Sequence, residues 1–110
     1  RKEVPTMATA TIAGQEVDLN DEGFMTDPDQ WNEEIGAVLA GNIGIDMTDE
    51  HWAVIRWLRE DYKEKGETAT TRRVQTVGGF PTKQQFVLFP KKPARKMAYI
   101  AGLPKPHGCV

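Results

Sequence analysis

The 110-residue chain contains one cysteine, Cys109, and it is the penultimate residue. A cysteine is the one side chain here whose ordinary chemistry is nucleophilic sulfur exchange, carried by its thiolate. Two cations or potential cations precede it, Lys105 and His107, which favour the thiolate. The terminal carboxylate of Val110 opposes them. Gly102, Pro104, Pro106 and Gly108 punctuate the same stretch and are the candidate hinge residues of an arm. Each proline lacks an N–H and fixes its own φ, so residues 102–110 cannot extend a helix or serve as a central strand. The segment is either a frayed tail with an incidental cysteine or an arm that carries a thiol away from the body. Nine extended residues would reach roughly 28 Å at about 3.1 Å per residue, enough to enter a partner's active site.

The rest of the chain offers little other chemistry. No GxGxxG, P-loop, HExxH or CxxC motif is present, so no phosphate cradle, metal centre or organic cofactor is expected. One cysteine excludes an intramolecular disulfide framework and argues against zinc. His51 invites a reading as base to Cys109; the plainer reading is a first-turn helix histidine that packs or hydrogen-bonds locally. Arg72 and Arg73 open a short helix before Gly78-Gly79, and Thr82-Lys83-Gln84-Gln85 opens another. Such a pair resembles a helix-turn-helix and makes a DNA-binding regulator an alternative function. The milder use of Arg72 and Arg73 is to hold an anion, such as the arm's carboxylate or a sulfur species. Lys91, Lys92, Arg95 and Lys96 form a basic base to the arm, either a solvated face or a docking site for an acidic or RNA-containing partner.

Several of these stretches together resemble one family. AGLPKPHGCV, from Ala101 to Val110, looks like the C-terminal signature of the TusE/DsrC/DsvC family of sulfur-relay proteins and sulfite reductase gamma subunits. Leu88-Phe89-Pro90 followed by Pro93-Ala94 resembles its LFP…GPA stretch. Thr48, His51-Trp52, Val54-Ile55 and Leu58-Arg59 resemble its TxEHW…LR helix, and Gly23-Phe24-Met25 with Trp31 an early GF…W pattern. The resemblance covers nearly everything after Met7. It implies a sulfur carrier that accepts a persulfide on Cys109 and passes it on, a sulfurtransferase-type carrier without a complete active site of its own. The implied partners are sulfur-donor and sulfur-acceptor proteins, within a tRNA-thiolation or sulfite reductase-like complex. Sulfite reductase partners in this family carry a second cysteine eleven positions before the penultimate one; here that position is Ala98. The loss resembles the TusE branch, whereas the short Arg73–Phe89 stretch resembles the sulfite reductase branch. A noncatalytic partner of a sulfite reductase-type enzyme is therefore a second alternative.

Composition fits this. The apolar share is 39%, with three Trp and four Phe, enough for one modest core. The formal net charge of −2 conceals a split. Residues 1–62 hold four Lys/Arg against fourteen acidic residues, and residues 63–110 hold ten against two. Such asymmetry suggests a face prepared for an anionic partner, unless the halves neutralise each other across the fold. No apolar run approaches the roughly 20 residues a membrane helix needs, and no leader is recognisable. The cytoplasm, where thiols stay reduced, is the expected location. Met7 is a candidate natural start.

The elements that must position the thiol read as a mainly helical α+β domain spanning 1–110. After a lead over 1–7, Thr9 to Leu19 favours a hairpin (8–19) turning at Ala13-Gly14. The helical body is expected over 27–101. Asp27-Pro28 predicts a helix start, with Trp31, Ile35, Val38 and Leu39 on its core face and an end at Gly41 or Asn42. Thr48 predicts the cap of a helix of about 17 residues closed by Gly66. Thr71–Val77 and the helix opened by Thr82 follow, the latter burying Phe86, Val87 and Phe89 before Pro90. Pro93 opens the last helix, with Met97 and either Ile100 or Ala101 facing inward, and the mobile arm takes 102–110.

Overall fold

A computed structural model describes residues 8–106. Two antiparallel strands, β1 (Ala8–Ile12) and β2 (Gln15–Leu19), open the fold, followed by a 3₁₀ turn at Pro28–Gln30. Five helices complete it: α1 (Glu33–Asn42), α2 (Asp49–Lys65), α3 (Thr71–Thr76), α4 (Thr82–Leu88) and α5 (Pro93–Ile100). The hairpin pairs Ala8 with Leu19 and Ile12 with Gln15. Ala13 and Gly14, at φ 52° and 80°, supply the two left-handed residues that a tight two-residue hairpin turn requires.

Two hairpin strands cannot stand alone. Val17 and Ile12 therefore pack with Met25, Ile35 and Leu39 in one apolar cluster. A larger cluster surrounds α2 and α5, with Val54, Ile55, Leu58, Met97 and Ile100 at its centre. Trp31 and Tyr99 touch both clusters and join them.

The helix expected from Pro28 is broken. Asp27 does cap, accepting from Asp29 N–H, but the chain turns extended at Trp31, and the Asn32 side chain accepts from Ile35 N–H to begin α1 afresh. The helical frame restarts there, so Ile35 and Leu39 are buried while Val38 is 41% exposed. The helix after Gly79 also departs from expectation. Pro81, not Thr82, sits at the cap position, because Thr82 N–H and Oγ1–H both donate to Gln75 Oε1. α4 buries Gln85 and Leu88, with Phe89 just beyond its end. That spacing turns Phe86 and Val87 outward, 50% and 70% exposed.

α2 runs as the sequence predicts, from its Thr48 cap to Gly66 at φ 74°. His51 takes the local role. Thr48 N–H donates to its Nδ1 at 3.1 Å, which leaves the proton on Nε2 to donate to the Leu88 carbonyl at 2.8 Å. One imidazole thereby closes the start of α2 and ties it to the end of α4. Among the described residues no helix is long and apolar enough to cross a membrane.

Candidate functional site

The arm leaves the body at the end of α5, and the structure fixes that point tightly. Trp31 Nε1–H donates to the Ile100 carbonyl at 2.8 Å. Arg59, from the middle of α2, donates to the Ala101 carbonyl at 2.7 Å and to the Pro28 carbonyl at 2.9 Å. Its guanidinium lies over the Trp31 ring, 4.3 Å from the ring centre, where cation and π-face attract. Burial pushes the Arg59 guanidinium below its ordinary value, with Asp29 and Glu60 opposing. Gly102 adopts φ +70°, and a Cβ there would lie 2.4 Å from Trp31 Cδ1. Only glycine satisfies both the left-handed turn and the close approach.

The first part of the expected mobile arm is consequently not free. Leu103 is 1% exposed, and its N–H donates to the Ala98 carbonyl at 3.0 Å. Thr68 Oγ1–H donates to the Pro104 carbonyl at 2.7 Å, and Pro106 is buried. Gly102, Pro104 and Pro106, expected as hinge residues of a free arm, thus belong to the clamped root. Apolar burial of Leu103 and two carbonyls held by charged or hydroxyl donors give the physical reason. His107, Gly108 and Cys109 lie outside the described residues. Ala98 is fully buried in α5.

The basic residues divide. Arg73 donates from Nε and Nη2 to the two carboxylate oxygens of Asp61, at 3.0 and 2.7 Å. Asp61 is itself buried, so Arg73 is committed to it rather than to a free anion. Those hydrogen bonds raise the Arg73 guanidinium above its ordinary value. Arg72, its neighbour, is exposed. Lys96 donates through Nζ to the Pro90 carbonyl. Arg95 and Lys105 converge on Glu22, at 3.9 and 3.3 Å, so the expected basic base of the arm is partly neutralised by the loop after β2. Arg95 also lies over the Phe24 ring at 5.8 Å. Lys91 and Lys92 remain exposed.

In the sequence Arg59 stands out only within the family-like Leu58-Arg59 pair of α2, without a role, and Thr68 and Glu22 are unassigned. The available signal for Arg59 was an arginine at the helical spacing of Ile55, Leu58 and Tyr62. A guanidinium on an apolar stripe needs acceptors, and the carbonyls of the arm root provide them. Nothing local marked Thr68 or Glu22, whose partners lie 36 and 83 residues away.

Known proteins resemble this chain in sequence and fold. The family described as DsrC like protein matches residues 11–110. The chain belongs to the DsrC-like family. Sulfurtransferase TusE of Escherichia coli strain K12 is 35% identical over 104 residues, covering 88% of this chain and 95% of the relative. Among solved structures, dissimilatory sulfite reductase I (DsrI) superposes with a TM-score of 0.80 at 33% identity, covering 94% of this chain and 100% of the other. DsrC of Allochromatium vinosum gives 0.77 at 32% identity, covering 94% and 99%. This DsrC-like chain therefore shares the family's helical body and N-terminal hairpin.

Proposed function

We propose that this chain is a sulfur carrier in a sulfur relay, with Cys109 as the carrying atom's residue. The observation that carries the reading is the family match through the last residue, in a chain whose sole cysteine stands at the second-last position. The clamped root supports it, because an arm can present a thiol reproducibly only if its exit is fixed. The chemistry is thiol exchange. The Cys109 thiolate attacks the outer sulfur of a donor persulfide. The Cys109 Sγ–S bond forms, the donor's S–S bond breaks, and the donor leaves as a thiolate; the proton on the transferred sulfur moves with it. No net oxidation occurs, and the second transfer repeats the exchange on an acceptor.

The likeness to TusE favours a donor protein on one side and an acceptor on the other, on a route toward tRNA thiolation. A cycle that needs a second cysteine eleven positions before Cys109 is closed to this chain, because that position is Ala98. The DNA-binding alternative is not favoured. Arg73 is committed to Asp61, and α4 is only seven residues long, too short to lay a recognition surface along a groove. The reading is tested by loading the protein with sulfur from a persulfide donor, desalting it, and adding cyanide, which removes sulfane sulfur as thiocyanate. One equivalent of thiocyanate per chain is expected, and none from Cys109→Ser. Equal release from both proteins would place the sulfur elsewhere and defeat the proposal.

A further inference from the structure

α4 has an outer face that the body does not use. Lys83, Phe86 and Val87 share it at i, i+3 and i+4, and the two apolar side chains are 50% and 70% exposed. Lys91 and Lys92 follow, both exposed. Their backbone is held at φ 61° and 51°, with Lys96 bonded to the Pro90 carbonyl beside them. Among the described residues no carboxylate pairs with Lys83, Lys91 or Lys92. The face is thus an apolar pair flanked by three lysines. It is also linked to the arm's exit. Gln85 of α4 donates to the Thr71 carbonyl at 3.2 Å, and Thr68, three residues earlier, holds Pro104.

We infer that this face docks the protein that delivers sulfur to Cys109, a protein presenting carboxylates around an apolar contact. The inference rests on the persulfide-carrier reading above. Charge complementarity selects an acidic partner. An aliphatic Val87 offers no stacking platform for a base, and Glu50, which accepts from Gln84 at 3.2 Å on the flank of α4, repels phosphate; both favour protein over RNA. Delivery, rather than withdrawal, is the step that needs the body. Before loading, the arm carries only a thiol, whereas afterwards it carries a persulfide that an acceptor can recognise.

The test compares two sulfur sources by the rate of one-sulfur mass gain. One is a cysteine desulfurase with cysteine, or a rhodanese with thiosulfate, whichever loads the wild type. The other is inorganic polysulfide, which needs no docking. The double variant Phe86→Ser/Val87→Ser should load about tenfold more slowly from the protein donor, and at the wild-type rate from polysulfide. Both side chains are exposed, so the fold should survive; an unchanged melting curve checks this. Lys83→Glu should also slow loading from the protein and blunt its dependence on ionic strength. Equal donor rates for wild type and variants would overturn the docking face while leaving the carrier reading intact. No loading of the wild type from either protein donor would remove the carrier reading and the docking face with it. Bulk tRNA binding lost in the double variant, with donor loading unchanged, would reassign the face to RNA.

Discussion

At the scale of single residues, few groups fix the arm's departure. Arg59, Trp31 and Gly102 do this together: two donors hold the Ile100 and Ala101 carbonyls, and a glycine allows the indole to sit against the chain. Gly102→Ala should therefore be costly. It forces a Cβ to within 2.4 Å of Trp31 and places a non-glycine residue in the left-handed region. A loss of about 2 kcal/mol is expected, read as a fall in Tm of roughly 10 °C. An unchanged Tm would mean that the indole yields without cost and is not clamping. Cys109 stands out in the sequence as a candidate because one nucleophile in a Pro/Gly segment has few uses. Arg59 is not legible there, since an arginine within a helical stripe looks like surface until its carbonyl acceptors, 42 and 31 residues away, are known.

At the scale of elements, caps decided what could be read in advance. α2 was legible from Thr48, from the first-turn acids Asp49 and Glu50, and from Gly66, because each acts on its own neighbours. The hairpin was legible for the same reason, its turn residues being adjacent. The break at Trp31 was not. Asp27-Pro28 is a sound helix start, yet Asn32 offers a second cap, and burial of Ile35 and Leu39 favours the helix that begins there. α4 misled in the same way: its apolar letters suggested Phe86 and Val87 as core, but Gln85 takes the buried position and donates to the Thr71 and Phe80 carbonyls. The junction of α2 and α4 makes a separate prediction. His51→Leu removes both the acceptor for Thr48 N–H and the donor to the Leu88 carbonyl, a buried contact. A destabilisation of about 2 kcal/mol is expected by denaturant unfolding, with the rate of Cys109 loading from polysulfide unchanged. A loss of polysulfide loading in the still-folded variant would instead make His51 a participant in the chemistry.

At the scale of the whole molecule, the body fixes the root of the arm and offers an exposed face; in the proposed relay the partners supply the remaining chemistry. The charge split between the halves of the chain is only partly expressed. Glu22 of the acidic half neutralises Arg95 and Lys105, and Asp61 neutralises Arg73, so the sequence overstated the basic surface at the arm's base. Among the described residues, Lys65, Arg72 and the lysines around α4 stay exposed without a carboxylate partner and remain for steering. This division of labour is also why the sequence shows no catalytic constellation beyond one thiol. The most direct test of that claim is the intact mass of the reduced protein after incubation with a cysteine desulfurase and cysteine, or a rhodanese and thiosulfate, beside Cys109→Ser. The account predicts a gain of one sulfur atom on the wild type, reversed by dithiothreitol and absent from the variant. An equal gain on Cys109→Ser, or no gain on the wild type from either donor, would contradict it.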